Sequence, residues 1–269
     1  LAEMRRIILS RKGFDSSSGR TASPIFPDDT IFSIPIPSKV PSPHKYSDLK
    51  IHGISGEAAL REATVSSVSR TDYCHFDPDL RTGVGLFGQA NSSQSELRNR
   101  EVEKDDLFLF FGWFRRCSSK EGDTHHLFGW LQIEDILTSD TDIKNYLKQR
   151  GLVHPHGFGE KSNYPNNALY IGRERIDLSG IEKKLPGYGV FKKTSADLIL
   201  TEKGKTRSHW RFPKKYFSKS KDLFLNRLKW KNESECTLEC KGQGQEYILN
   251  AEDNPRIITW ALSLIEKHC

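Results

Sequence analysis

The sequence predicts an α+β fold: a strand-rich mixed sheet or sheets, a few short helices, and an amphipathic helix at the C-terminal end. Three observations carry this prediction. Residues 106–114 and 126–133 are short apolar runs crowded with Phe and Trp, the residue types that suit a pleated surface. Shorter runs of the same kind recur at 6–10, 168–171, 189–191 and 198–200. Only the end of the chain shows a sustained helical stripe, formed by Ile257, Ile258, Ala261, Leu262, Leu264 and Ile265.

The elements follow in order. Residues 6–10 form an opening buried strand, and a loop of polar and small residues runs through 11–19. Pro24 and Pro27 bracket an extended stretch, and Asp28-Asp29 makes a turn. Residues 30–37 alternate Ile31, Ser33, Ile34 and Ile36 as a second strand, at an edge because Pro35 has no N–H to donate. A proline-rich connector leads to a short helix at 57–62 and a Ser-rich loop. A helix at 91–100 precedes the two aromatic strands, which each carry a Gly-Trp pair, and a further helix covers 142–150. Residues 235–239 and 245–249 are strands flanking a Gly-rich segment. Asp253 or Asn254 caps the last helix, with Pro255 in its first turn.

With 269 residues the chain can bury a core without metal or disulfide staples, and it reads as one domain over 1–269, with a possible sub-division near 150–165. Its 5 cysteines are odd in number and fit no zinc spacing, which suits free thiols in a reducing, cytoplasmic setting. No apolar run approaches the roughly 20 residues a bilayer needs. The apolar start is too short for a signal peptide. The net charge of +6 is modest, so its distribution decides what it does. Residues 201–231 concentrate it: eleven Lys and Arg face only Glu202 and Asp222, interleaved with Trp210, Phe212, Tyr216, Phe217, Phe224 and Trp230. Cations track phosphates and rings stack on bases, so the expected partner is nucleic acid or a nucleotide, although part of these rings belongs to the core.

Four further groups can carry chemistry. Arg11, Lys12 and Asp15 lie among Gly13, Ser16, Ser17, Ser18 and Gly19, a loop whose backbone N–H groups and cations suit a phosphate; an ordinary polar turn reads the same way. His75, Asp77, Asp79 and Arg81 could shuttle protons, or two of them could begin a metal site. Of His125, His126, His154 and His156, the pair in His154-Pro155-His156 sits on one side of a rigid extended tripeptide and could complete such a site with His75 or Asp77. Gly242-Gln243-Gly244-Gln245-Glu246 can position a water or read a base edge, or simply make a turn.

Several segments, in order, resemble the nucleotide modification associated domain 3 family. They are Ser10-Arg11-Lys12-Gly13-Phe14-Asp15-Ser16-Ser17 with Ser23-Pro24-Ile25, the run from Leu107 to Arg115, and His154-Pro155-His156. Asn167-Ala168-Leu169-Tyr170, Arg207-Ser208-His209-Trp210-Arg211-Phe212-Pro213 and Gly244-Gln245-Glu246-Tyr247 complete the set, which spans nearly the whole chain. The resemblance implies an association with systems that modify bases or nucleotides, phage defence included. It supplies positions rather than a reaction, with Gln89 among them. The two Gly-Trp strands are also weakly similar to PUA-like barrels, which bind RNA or modified bases.

The resulting expectation is a protein that modifies nucleotides or bases in nucleic acid. Asp15, His75, Asp77, His154, His156 and Glu246 are its catalytic candidates. Arg11, Lys12, Arg115, Arg207, His209 and Gln245 are its nucleotide or phosphate contacts. A non-catalytic reader of modified or single-stranded nucleic acid is the alternative, and a metal-dependent nuclease or hydrolase the second. No metal ligand set and no cofactor are assigned, and protein partners stay open.

Overall fold

A computed structural model describes residues 4–119, 121–159, 164–178, 184–218, 220, 222–240 and 244–269. The strands are β1 (Arg6–Arg11), β2 (Ser23–Ile25), β3 (His44–Lys45), β4 (Lys50–Ile51), β5 (Ile54–Ser55), β6 (Tyr73–Cys74), β7 (Leu86–Gln89), β8 (Leu107–Arg116), β9 (Thr124–Leu137), β10 (Ala168–Gly172), β11 (Tyr188–Val190), β12 (His209–Arg211), β13 (Trp230–Asn232), β14 (Thr237–Glu239) and β15 (Glu246–Asn250). The helices are α1 (Gly56–Glu62), α2 (Asn91–Asn99), α3 (Asp140–Arg150), α4 (Lys214–Phe217) and α5 (Arg256–His268). The fold is α+β.

The two aromatic runs form the spine, β8 against β9, antiparallel with a bulge between Phe110 and Phe111. Leu107 to Phe111 are fully buried, so these strands are covered on both faces and show no alternation. On the other edge of β8, β1 pairs in parallel (Leu9 opposite Leu109) and β2 follows in parallel (Pro24 opposite Arg115). The segment 12–22 between them therefore leaves and rejoins the same strand. The main path runs β15-β1-β8-β9-β10-β7, with β11 on β9.

This sheet curls on itself. Phe87 of β7 lies 4.9 Å and 5.0 Å from Phe108 and Phe110 of β8, ring centre to ring centre. Gln89 of β7 donates to Glu246 of β15, at the other end of the path, at 2.5 Å. Phe108, Phe110, Phe87 and Tyr170 fill the space enclosed. A second core of Phe14, Phe32, Ile34, Tyr46, Leu60 and Phe76 lies under α1, and a smaller one of Leu86, Ile143, Leu147 and Leu169 lies under α3. Ser139 caps α3, and Gly151 ends it in the left-handed conformation at φ 63°.

Three sequence expectations change. Residues 30–37 make no strand, only isolated bridges at Thr30, Ile31 and Pro37, because Pro35 and Pro37 lack donors and the Ile34 carbonyl is taken by the Phe14 N–H. Residues 198–200 join a short 3₁₀ turn (Ala196–Leu198) and isolated bridges instead of a strand. The two strands flanking the Gly-rich segment separate: β14 lies between β12 and β13, while β15 pairs with β1. Gly242 and Gln243 lie outside the described residues. Among the described residues, no helix is long and apolar enough to cross a membrane.

Candidate functional site

The residues selected from sequence gather into three groups. The first surrounds a cavity of about 460 Å³ lined by Arg11, Asp15, Trp113, His125, Arg207 and Gln245, among others. Its loop wall is rigid. Asp15 Oδ1 accepts from the Ser17 N–H (2.8 Å), the Ser17 hydroxyl (2.7 Å) and the Ser18 N–H (2.7 Å), an aspartate turn that uses one carboxylate oxygen for structure. The Arg207 guanidinium lies over the Trp113 ring at 4.1 Å. The indole N–H donates to Asp123 Oδ2 at 2.7 Å, and Asp123 accepts a two-pronged pair from Arg115 at 2.6 Å and 2.9 Å. Arg115 is thus a brace for Trp113.

Arg207 has no carboxylate within salt-bridge distance among the described residues. Burial lowers its pKa from the ordinary value; Asp123 and Asp15 oppose this, and the nearby Arg11 and Arg115 charges add to it. Such a crowding of cations is relieved by an anion. Beside it, Trp210 donates its indole N–H to His125 Nδ1 at 2.9 Å, so the remaining proton of the neutral ring sits on Nε2. Burial first, then Arg207 and Arg11, hold His125 well below its usual pKa and keep it neutral.

Residue 245 faces this cavity, so residue 246, its neighbour along the chain, turns to the other face. There the buried Glu246 forms the second group. Its Oε1 accepts from Ser10 Oγ (3.1 Å), Lys12 Nζ (3.1 Å) and Gln89 Nε2 (2.5 Å), while Oε2 has no partner among the described residues. Lys12 Nζ also sits 4.7 Å above the Phe87 ring. Lys12 is therefore tied to a buried carboxylate inside the curl, on the opposite side of β1 from Arg11.

The third group is His75, Asp77, His154 and His156. Asp77 Oδ1 accepts the Gly88 N–H at 2.8 Å. His154 Nε2 lies 3.2 Å from the same oxygen but off the line of a hydrogen bond, and finds no other partner among the described residues. The second oxygen, Oδ2, lies 3.6 Å from His75 Nε2 and 3.7 Å from His156 Nε2. Burial acts to raise the Asp77 pKa, but His154 and His75, with the His156 ring, hold it well below the carboxylate range. Burial pushes His156 down to about 3. Tyr164 stacks on His156 with ring centres 4.5 Å apart. Gly88 is required here: a Cβ on it would stand 2.2 Å from the His156 ring.

His154 and His156 do join His75 and Asp77, while His125 and His126 go elsewhere. His126 is wholly enclosed between Leu127 O and the Thr194 hydroxyl. His209 bonds Thr206 on the outside of β12 and is absent from the cavity wall. The aromatics of the basic stretch turn inward: Trp210, Phe212 and Phe217 are core, and Tyr216, Phe224 and Trp230 pack against it. Trp113, Asp123, Tyr164 and Asn167 escape sequence reading, since each residue type alone reads as packing or surface; the Gly-Trp pair of β8 was the one available signal for Trp113.

No curated protein and no solved structure is significantly similar to the chain. The nucleotide modification associated domain 3 family matches residues 6–250, from β1 to the end of β15. The chain belongs to the nucleotide modification associated domain 3 family.

Proposed function

We propose that the protein binds a nucleotide, free or within nucleic acid, in the cavity between Arg11, Trp113 and Arg207, and takes part in modifying its base. The observation that carries this is Arg207, a half-buried guanidinium stacked on an indole, next to Arg11 and, among the described residues, without a carboxylate within salt-bridge distance. A phosphate satisfies the cations, a base stacks against the Arg207–Trp113 pair, and the His125 Nε2–H and the Gln245 amide supply directional contacts. Chemistry is assigned to the groups around Asp77, which line cavities separate from this one, so the substrate has to extend beyond the Arg207 cavity to reach them. A buried carboxylate ringed by imidazoles costs folding free energy that packing does not require, which is the mark of a working site. Glu246 and Lys12 hold the curl closed beside them.

Equilibrium binding of deoxynucleoside monophosphates tests the pocket. Arg207→Ala and Trp113→Ala should each weaken binding by about tenfold, the size of one charge-assisted contact or one stacked base. Lys214→Ala, which only breaks a surface pair with Glu235, should leave binding unchanged. Wild-type affinity in the Arg207→Ala, Trp113→Ala double variant would remove this assignment.

A further inference from the structure

We propose that His75, Asp77 and His156 hold one first-row divalent transition-metal ion, through His75 Nε2, Asp77 Oδ2 and His156 Nε2. The inference deepens the reading of the Asp77 group as the reacting one and rests on that reading for the ion's role, though not for its binding.

The argument begins at Asn167. Its Nδ2 donates to Asp140 Oδ1 (2.9 Å) and to His156 O (2.8 Å), which fixes the orientation of the amide. Asn167 Oδ1 then accepts from His156 Nδ1 at 2.7 Å, so His156 carries its proton on Nδ1. The Nε2 lone pair of the neutral ring is left facing Asp77 Oδ2 at 3.7 Å. Two electron-pair donors meet here, with the His156 and Asp77 side chains each 4% exposed. A cation between them satisfies both.

The other Asp77 oxygen is already committed to the Gly88 N–H, so Oδ2 is the one free to ligate. His154 completes the arrangement from outside. Its Nδ1 accepts the His156 N–H at 3.3 Å, so its proton is on Nε2, and that fully buried group lies 3.2 Å from Asp77 Oδ1. A donor of this kind orients a ligating carboxylate without touching the ion.

The three residues each offer a ligand atom within 4.8 Å of the others, and Asp77 Oδ2 lies 3.6 Å and 3.7 Å from the two Nε2 atoms. Ligands about 2.1 Å from a tetrahedral ion stand about 3.4 Å apart, so the two separations to Asp77 are already close to what an ion needs and the two imidazoles have to draw together around it. Two imidazoles with one carboxylate favour iron, zinc, cobalt or manganese over calcium or magnesium, which prefer oxygen. Three protein ligands leave coordination positions open, and the site has access on two sides. Asp77 lines a cavity of about 660 Å³, and His75 with Tyr164 lines another of about 270 Å³. Water or a substrate oxygen can reach the ion from either.

The test uses the full chain, stripped with a chelator and titrated with Co2+ under nitrogen. One Co2+ should bind per chain and develop visible ligand-field absorption. Asp77→Asn and His156→Gln should weaken it more than about a hundredfold, beyond the 10- to 100-fold expected for His154→Gln as an outer partner. His268→Gln, on α5 and paired with Asp197, should change nothing. Should a buried variant fail to fold, His75→Ala, whose side chain is 19% exposed, decides in the same titration. A folded wild-type chain that binds none of Co2+, Zn2+ and Fe2+, or an Asp77→Asn chain that binds as wild type does, overturns the proposal. Nucleotide binding at the Arg207 cavity, measured in parallel with chelator present, separates its failure from that of the pocket.

Discussion

His126 shows what a single enclosed side chain costs. Its Nδ1 donates to Leu127 O at 2.5 Å and its Nε2 accepts from the Thr194 hydroxyl at 2.8 Å. Burial pushes its pKa from 6.5 down to about 4. The folded chain therefore refuses a proton that the unfolded chain accepts. The stability this group contributes is present in full above pH 6.5 and is lost as pH falls through 4, a difference of about 3 kcal/mol. Urea unfolding at pH 7 and pH 4.5 checks it: His126→Gln should lose less stability between the two than the wild type. At this scale the sequence was legible where unusual residue types cluster. Histidines beside an aspartate announced His75, Asp77, His154 and His156, and the structure brings them together. Asn167 and Tyr164 could not be read, because an amide that fixes a tautomer and a ring that stacks on one look like any other asparagine and tyrosine.

The short strand β7 links two of the groups. Its Gln89 side chain ties to Glu246 across the curl, while its Gly88 N–H holds Asp77 and its bare Cα leaves room for His156. Gly88→Ala should therefore cost about 1–3 kcal/mol in urea denaturation, as crowding a packed interior does, while moving the His156 ring. Unaltered stability would mean that His156 shifts freely. Elements dominated by local preference were readable: β8 and β9 through their aromatic density, α5 through its stripe, α3 through its charged ends. Residues 30–37 misled because apolar alternation was stronger than the two prolines that forbid a ladder. The parallel pairing of β1 with β8 was not readable at all, since partners such as Ile7 and Leu107, far apart along the chain, find each other only through the core.

Over the whole molecule, the basic excess at 201–231 survives as charge but not as a stacking surface. Lys203, Lys205, Lys215, Lys229 and Lys231 are exposed, whereas Arg211 is engaged by Glu202 and Glu235. Binding of single-stranded DNA should accordingly weaken steeply with salt. Lys229→Glu with Lys231→Glu should make the logarithmic salt dependence shallower by about one per lost phosphate contact, as measured by titrations at several ionic strengths. Mononucleotide binding at the cavity should be unaffected by that change. The single-strand alignment of β1 and β2 on β8 bears on the same cavity in another way. The segment 12–22 departs from β8 and returns to it, and Asp15 staples its interior. A flap needs a hinge, and this segment has both stems clamped to one strand. If this wall is set before a nucleotide arrives, little ordering is left for the moment of capture, and the association rate measured for a mononucleotide should follow diffusion and charge rather than the opening of a lid.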